Sequence, residues 1–298
     1  MKKEILLAFD FGGTKVAIAV ADQSKKILIR KEIVSAGRDG KEVLKEAIDI
    51  AFEMIQTADG QLTGIGISTI GVVSGDYVKL ASNIIGWEDI NIQRNLQDAF
   101  GDVTIRIEND VKTATIAELK SGNLENTSYG LYINLGTGIS AGYTIGDKVV
   151  RGANGAAGEI AYLLKNRKED KGFKQERAPF EAFSSGIGIA MRLKEKTGLF
   201  KQTKEWFEEY NKDSLVTNVI DEALQEIGAQ VANLAIAWNP EKVVIGGGMV
   251  RNKDMIFPII KQYLERFVPF VPSIEEAHFS HDASLIGAIE IAMKEYTP

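Results

Sequence analysis

The chain has 298 residues, of which 45% are hydrophobic and 26% are charged. This composition is ordinary for a globular protein and excludes a disordered chain, a collagen-like repeat and a coiled-coil rod, and the length predicts about two domains. The net charge is −6, and because no basic block is present to neutralise phosphates, we expect no nucleic-acid partner. The sequence has no cysteine, which excludes disulfides, thiolate metal sites and a cysteine nucleophile.

The apolar stretches of the sequence are short. The first, residues 5–9, is ended by Asp10 and is too short for the core of a signal peptide. No stretch approaches the roughly 18 consecutive apolar residues that a membrane-spanning helix needs. We therefore expect a cytoplasmic protein with no membrane partner.

The first part of the chain alternates apolar runs with helical patterns. Strands are predicted at residues 5–9, 16–20, 27–34, 65–70 and 103–107. One helix is predicted at 40–57, where apolar residues recur at helical spacing, and a second at 109–119. This mixture of strands and helices is typical of an α/β protein.

The second part of the chain begins with the same kind of pattern. Strands are predicted at residues 129–135, 139–145, 148–150 and 243–245. The clearest helix covers 213–238, with Asp213 as its candidate N-cap and Pro240 after its end. A last helix is predicted at 284–295, and we expect it to pack on the first part of the chain.

A weak internal repeat relates the two parts. When Asp10 is aligned with Asn134, Gly12 falls on Gly136. Each copy reads as a strand, a glycine turn, a strand, a polar turn and a strand. The repeat predicts two similar lobes that each offer a glycine turn to the space between them, with the join near residues 118–127.

The first motif with chemical potential is the turn after residues 5–9. The adjacent glycines Gly12 and Gly13 let backbone N–H groups approach an anion, and Thr14 and Lys15 can add donors. The carboxylate of Asp10 could hold a hydrated Mg²⁺ opposite the phosphates. The glycines alone favour the simpler alternative, a hairpin turn with a solvated lysine.

A second glycine turn, Gly136-Thr137-Gly138, follows the strand at 129–135. Its spacing nearly matches a dinucleotide-binding fingerprint, but that fingerprint opens a helix. Here a strand and another turn follow, so a hairpin that binds phosphate fits better. A Walker A motif is absent from the sequence.

The segment Glu108-Asn109-Asp110 lies between a predicted strand and a predicted helix, and it places a carboxylate at the strand end. Such a group projects from the end of the strand into a cleft, where it can accept a proton from a hydroxyl. The alternative is structural, because Asp110 or Asn109 can also cap the helix that follows. Taken alone, the segment favours the cap.

Small residues surround a single carboxylate at positions 151–159. Residues with little side-chain bulk allow a polar ligand to approach, and Glu159 can accept hydrogen bonds from its hydroxyls. A mobile glycine loop is the alternative. Glu181 is a weaker candidate of the same kind. Further on, Gly246 and Gly247 follow a buried strand and leave a flat backbone surface for a purine or a ribose, or else form a tight turn.

Taken together and in this order, the motifs resemble those of the ROK sugar kinases. That family has the actin-like ATPase (ribonuclease H-like) fold, with two similar lobes around a central cleft. The resemblance runs from Asp10 to about Ile289. Its segments are DFGGTK at 10–15, ASNIIGW at 81–87, ENDVKTATIAEL at 108–119, LGTGIS at 135–140, RGANGAAGEI at 151–160 and VVIGGGM at 243–249.

The resemblance implies that the protein transfers phosphate from ATP to a hydroxyl of a hexose or hexose derivative, at its primary position, with Mg²⁺ as cofactor. Asp110 matches the catalytic base. Asp10, at the end of its strand, is the residue that we expect to hold Mg²⁺ through water. Substrate-binding positions are implied at Asn83, Asn109, Asp110, Glu159, Tyr162 and Glu181. Phosphate- and adenosine-binding positions are implied at Gly12, Gly13, Thr14, Lys15, Gly136, Thr137, Gly138, Gly246 and Gly247.

The resemblance also implies a domain organisation and a homodimer. We expect an N-terminal lobe at residues 1–119, joined by a C-terminal helix at 284–298, and a C-terminal lobe at 120–283.

Four positions depart from the family pattern. The usual G-x-P-G reads here as residues 68–71, without proline, and Ser140 stands where glycine is common. Tyr162 replaces a histidine that contacts the sugar or zinc, and the cysteine-rich zinc loop is replaced by KNRKEDKGFKQER at 165–177. We therefore expect no zinc site. Tyr162 changes the sugar pocket, so glucose, N-acetylmannosamine, fructose and a β-glucoside all stay open as substrates.

Two other functions compete with a kinase. The same family contains sugar-responsive transcription regulators, which carry a DNA-binding extension before the first motif. That motif begins here at residue 10, and we expect no such extension. The second alternative is a sugar-binding protein that has lost catalysis, which the presence of Asp110 and of both glycine turns disfavours.

Overall fold

The structure is a computed structural model that describes residues 2–75, 77–81 and 83–296. By their contacts these residues form two compact units. Unit 1 contains the chain up to Gly122, the segment Lys148–Ala157 and the chain from Asp282 onward; unit 2 contains Asn123–Asp147 and Gly158–His281. Residues 148–157 therefore lie with unit 1, whereas the sequence analysis places them in the second lobe.

Strands and helices alternate along the described chain. The strands are β1 (Lys3–Phe11), β2 (Lys15–Asp22), β3 (Ile27–Val34), β4 (Gly60–Thr69), β5 (Val72–Ser74), β6 (Tyr77–Lys79), β7 (Thr104–Asn109), β8 (Tyr129–Leu135), β9 (Ile139–Ile145), β10 (Lys148–Val149), β11 (Lys242–Gly246) and β12 (Ser273–Glu276). The helices are α1 (Gly40–Ala58), α2 (Ile92–Phe100), α3 (Asp110–Ser121), α4 (Pro179–Ser184), α5 (Gly186–Thr197), α6 (Thr203–Glu208), α7 (Ser214–Trp238), α8 (Lys253–Phe267) and α9 (Ala283–Ala292).

Unit 1 is built on a five-stranded sheet with the order β3-β2-β1-β4-β7. Strands β1, β4 and β7 are parallel, and β2 and β3 are antiparallel to their neighbours. Because the carboxyl ends of parallel strands meet at one edge, Asp10, Ser68 and Glu108 pair in register across β1, β4 and β7. The sheet thus brings the first glycine turn and the segment before Asp110 to the same edge.

Helices cover both faces of this sheet. Alternate residues of β1 point to opposite faces: Leu7 packs into a cluster with Met54 of α1, and Leu6 into a second cluster with Leu285 of α9. Helix α9 lies very close to β4, since a β-carbon added at Gly66 would lie 1.8 Å from the carbonyl oxygen of Ala288. This contact holds the C-terminal helix on the sheet of unit 1.

Unit 2 repeats the arrangement of unit 1. Its strand order β9-β8-β11-β12 corresponds to β2-β1-β4-β7, with the same antiparallel and parallel pairings. Helix α7 buries the apolar face that the sequence predicts, including Ile220, Leu224 and Ile227. Helix α8 packs on α7 at Gly228, where a β-carbon would lie 2.7 Å from the ring of Tyr263. The internal repeat of the sequence is therefore a repeat of structure.

The α/β class predicted from the sequence is confirmed. The elements that the sequence analysis leaves out are β5, β6, β12, α2, α4, α5, α6 and α8. Within the part of the chain that the structure describes, none of the helices combines the length and the apolarity that crossing a membrane would require.

Candidate active site

Asp10 lies near the end of β1 and is half-buried at the edge of the sheet. Its Oδ1 accepts a hydrogen bond of 2.7 Å from the Ser68 hydroxyl, which in turn accepts one of 3.0 Å from Thr113 Oγ1. Burial raises the pKa of Asp10 from 3.8 to about 6, although the bond from Ser68 lowers it. A nearby cation would favour the ionised form of this carboxyl group.

Mg²⁺ prefers oxygen ligands and keeps several of its waters, so one oriented carboxylate fits the way this ion is held beside phosphates. Asp10 supplies such a carboxylate. No cluster of three or more histidine, cysteine or acidic residues that could hold a metal occurs among the described residues. Binding of Mg²⁺ at Asp10 stays a prediction.

The first glycine turn connects β1 to β2. The Gly12 N–H donates to the Lys15 carbonyl over 3.0 Å, and a β-carbon added at Gly13 would lie 2.9 Å from the β-carbon of Asn83. The structure thus brings Asn83 beside the turn. Thr14 and Lys15 are exposed, and the Lys15 ammonium pairs with Glu32 at 2.9 Å, so a phosphate would compete with Glu32 for this lysine.

Asp110 is the first residue of α3 and is half-buried. Its Oδ1 accepts hydrogen bonds of 2.8 Å from the Val111 N–H and of 3.1 Å from Asn109 Nδ2. Its carbonyl accepts bonds from Thr113 at 2.8 Å and from Ser284 at 3.2 Å. The carboxylate and the backbone of Asp110 are therefore held in one orientation at the start of the helix.

Asn109 is the N-cap of α3 and is 3% exposed. Its Oδ1 accepts a bond of 3.0 Å from the Lys112 N–H, and its Nδ2 donates over 2.9 Å to the carbonyl of Gly71. These bonds give Asn109 a capping role that orients Asp110. Its contact with a sugar, implied by the resemblance, stays a prediction.

The second glycine turn, in unit 2, rests on the start of α5. The Gly136 N–H donates over 3.0 Å to the Gly138 carbonyl, while the Gly186 N–H donates over 2.9 Å to the Gly136 carbonyl. The carboxylate of Glu181 accepts a bond of 2.9 Å from the Ile139 N–H. A β-carbon at Gly138 would lie 2.5 Å from the same carboxylate, so a side chain there would displace Glu181 from the turn. Thr137, at the tip, is exposed.

Glu159, Tyr162 and Glu181 lie near one another in unit 2. Burial, followed by the charges of Glu159 and Glu181, raises the pKa of Tyr162. Burial also raises the pKa of Glu181, although its bond from Ile139 lowers it. The edge of the Tyr162 ring meets Phe173, with ring centres 5.7 Å apart. The structure therefore places an aromatic pair beside two carboxylates that the sequence analysis assigns to the sugar.

Gly158 fixes the backbone just before Glu159. Its φ is +94°, and a β-carbon there would lie 1.8 Å from the carbonyl oxygen of Ala141. The Ala141 N–H donates to the Gly158 carbonyl over 2.9 Å. Only glycine permits both contacts, so Gly158 docks the segment that carries Glu159 on β9.

Gly246 and Gly247 lie at the end of β11, beside a cavity. A β-carbon at Gly247, where φ is +92°, would lie 2.4 Å from the Leu135 carbonyl oxygen. The cavity is also lined by Arg251, Ala277, Ser280 and His281, and Arg251 contacts the His281 ring at 2.9 Å. The sequence analysis misses these lining residues because they follow the glycines at separations that match no motif.

Comparison with known proteins gives a consistent set of relatives. The chain matches the ROK family over residues 6–295. It is 28% identical to a glucokinase from Halalkalibacterium halodurans, over 93% of this chain and 92% of that protein. It is 26% identical to a beta-glucoside kinase from Listeria monocytogenes, over 97% of this chain and 98% of that protein.

Solved structures agree with these relatives in fold. A ROK hexokinase from Thermus thermophilus has a TM-score of 0.83 and 26% identity, with 97% of each chain covered. A ROK family transcriptional regulator, a homologue of the E. coli MLC protein, has a TM-score of 0.85 and 21% identity. The second comparison covers 98% of this chain and 78% of the regulator, and at that identity it shows the fold alone.

Proposed function

Since the chain belongs to the ROK family, we propose that it phosphorylates a hexose or hexose derivative with ATP, at the primary hydroxyl. The observation that carries the proposal is the orientation of Asp110. Its carboxylate stands at the start of α3, on the sheet edge that also bears Asp10 and the first glycine turn. This is the arrangement that a base and a phosphate-binding turn in one unit would need.

Asp110 is the proposed general base. Phosphoryl transfer depends on placing the attacking oxygen in line and on stabilising charge, since little covalent chemistry falls to the protein. The bonds from Val111 and Asn109 fix the carboxylate, so it can orient a sugar hydroxyl and accept its proton. Asn109 supports this role from the N-cap position.

The backbone N–H groups of the two glycine turns are proposed to bind the phosphates of ATP. Asp10 would hold Mg²⁺, which when bound neutralises the charge of the phosphates. The cavity beside Gly246 and Gly247 is proposed to take the adenosine, with Arg251 and His281 on its wall.

Asn83 and Glu159 are the proposed sugar ligands. Hydrogen bonds from several hydroxyls to such groups reject analogues that lack a hydroxyl, because the buried acceptors are then left unpaired. Tyr162 shapes this region, so a β-glucoside is a candidate substrate together with glucose and N-acetylmannosamine. We also propose a homodimer, which light scattering after size exclusion would test.

A sugar-responsive transcription regulator is the second candidate. Its support is the fold shared with the ROK family regulator. The net charge of −6 disfavours DNA binding, which depends on clustered Lys and Arg. Sugar-dependent turnover of ATP distinguishes the two functions.

The test is a coupled ADP-release assay with ATP, Mg²⁺ and a panel of hexoses, N-acylated amino sugars and β-glucosides. We expect turnover with at least one sugar, and a loss of about 10²- to 10⁴-fold in kcat for Asp110→Asn, with sugar binding retained in calorimetry. The control is Asp254→Asn, an exposed acidic residue in the first turn of α8. No ADP release with any sugar would refute the kinase, and near-normal turnover by Asp110→Asn would refute the base.

A further inference from the structure

Glu108 is a buried carboxylate directly before the proposed base segment. It is 4% exposed and lies in β7. Its Oε1 accepts a hydrogen bond of 2.9 Å from the Asn109 N–H, and its Oε2 forms an ion pair with Arg151. The Arg151 side chain is 37% exposed, but Glu108 is buried, so removing Arg151 would leave the Glu108 charge uncompensated, which is unfavourable. The position of Arg151 is therefore coupled to the backbone at Asn109.

Arg151 also begins the segment 151–157, which we call the anchored loop. The loop closes on itself, because the Ala157 N–H donates over 3.0 Å to the Arg151 carbonyl. In its middle, Gly155 has a φ of +73°, and a β-carbon there would lie 2.4 Å from the Val73 carbonyl oxygen. The loop is thus fixed to β7 through Arg151 and to β5 through Gly155.

The C-terminal end of the chain completes this contact. The Tyr296 hydroxyl is a hydrogen-bond partner of the Arg151 guanidinium. On the other side, Arg106 of β7 lies over the Tyr296 ring, 5.8 Å from its centre. Arg106 also donates to the carbonyls at the end of α9, Ile291 at 3.0 Å and Met293 at 2.8 Å. Three stretches that are separate in the sequence, namely β7, the anchored loop and Tyr296 near the C-terminus, therefore meet near Glu108.

Glu108, Arg151 and Tyr296 together are named the brace. We propose that the brace positions Asp110 and the anchored loop relative to each other, so that the base keeps its orientation during phosphoryl transfer. The inference rests on the proposed function and adds positioning residues to it; none of the three is taken to touch a substrate. The hydrogen bonds of Asp110 orient this residue at the start of α3, and the charge pair in addition ties the end of β7 to the anchored loop.

The first measurement uses the protein without ligands. Hydrogen–deuterium exchange is compared between wild type and Arg151→Ala, with Arg38→Ala as control because Arg38 pairs with Glu46 in unit 1, at 2.6 Å. We expect faster exchange in residues 109–113 and 151–157 for Arg151→Ala and not for the control Arg38→Ala. Unchanged exchange in 109–113 would overturn the brace, whether or not the protein is a kinase. Tyr296→Phe, which keeps the ring on Arg106, should give a smaller effect in the same two segments.

The second measurement is kinetic. A small misplacement of a reacting group can cost about 100-fold in rate, so we expect Arg151→Ala to lower kcat by about that factor with the KM for ATP little changed. Arg151→Lys, which keeps the charge, should recover part of the loss. A kcat equal to that of wild type would overturn the positioning role. A wild type that turns over no sugar refutes the proposed function instead, and the exchange experiment then decides the brace.

Discussion

The Ser68 hydroxyl donates a hydrogen bond of 2.7 Å to the carboxylate of Asp10, which precedes it by 58 residues. Ser68 begins the segment that replaces the G-x-P-G pattern of the family, so here a side chain contacts Asp10 where a glycine offers none. The bond favours the ionised carboxylate, while burial opposes it more strongly and raises the pKa to about 6. Asp10 therefore binds a proton in the folded protein more tightly than in the unfolded chain.

We predict that Asp10→Asn stabilises the metal-free protein at neutral pH. Between pH 3.8 and about 6 the unfolded wild type is ionised while the folded protein still holds the proton. The free energy of unfolding of wild type consequently falls as the pH rises through this window. The shift corresponds to about 3 kcal/mol at 1.36 kcal/mol per pKa unit. Urea unfolding should show Asp10→Asn more stable than wild type at pH 7.5 by up to that amount.

Well below pH 3.8, the two proteins should differ little, because the wild-type carboxyl is then neutral in both states. Asp59→Asn serves as control, since its side chain is 83% exposed. An Asp10→Asn protein that is less stable than wild type at pH 7.5 would show that the ionised carboxylate is compensated by contacts stronger than those described.

We predict that Gly158→Ala lowers the stability of the protein by more than the strain of a positive φ alone would. Gly158 and Gly37 both have positive φ, +94° and +72°, but only Gly158 has an atom close to the added β-carbon, the Ala141 carbonyl oxygen at 1.8 Å. Gly37→Ala should therefore cost about 1–2 kcal/mol of stability. In Gly158→Ala the new β-carbon also overlaps the Ala141 carbonyl oxygen, so this substitution should cost about 3 kcal/mol of stability or more. Thermal unfolding measures the difference, and equal losses would contradict the docking of Gly158 on β9.

The sequence predicts those helices and strands whose apolar side chains recur at one regular spacing. Helix α7 is predicted to within one residue, because its apolar residues form one face between an N-cap and a proline. Helix α8 is not predicted, since it contains Pro258, and proline usually ends a helix. Likewise, the motif around Asp110 is visible in the sequence, whereas the Ser68–Asp10 bond and the Arg151–Glu108 pair are not. These contacts join residues that are distant in the chain. The strand register brings Ser68 beside Asp10, whereas Arg151 lies outside the strands and reaches Glu108 only through the tertiary fold.

We predict that Glu181 acts on the nucleotide through the second glycine turn. Glu181→Ala removes the acceptor of the Ile139 N–H, and an unsatisfied buried donor costs about 1–3 kcal/mol. This cost favours a shift of the turn that lets the Ile139 N–H reach water, and we expect the displaced turn to raise the KM for ATP by about tenfold, which corresponds to 1.4 kcal/mol. Glu181→Gln keeps an acceptor and should change this KM much less. If Glu181→Ala instead raises the KM for the sugar alone, Glu181 is a sugar ligand, as the resemblance implies.

We predict that Phe173 contributes to binding of β-glucosides and not of glucose. Its ring is 61% exposed and packs edge-to-face with Tyr162, so it offers an apolar surface beside Tyr162 that a second ring on the sugar can cover. Loss of such an aromatic contact costs about 0.5–1.5 kcal/mol. Phe173→Ala should therefore lower kcat/KM for a β-glucoside by about two- to tenfold and leave that for glucose nearly unchanged. The control is Phe200→Ala, since Phe200 is 67% exposed and contacts Lys194 instead. A loss of equal size for both sugars would contradict a contact with the substituent, and no turnover of any β-glucoside by wild type would exclude this substrate class.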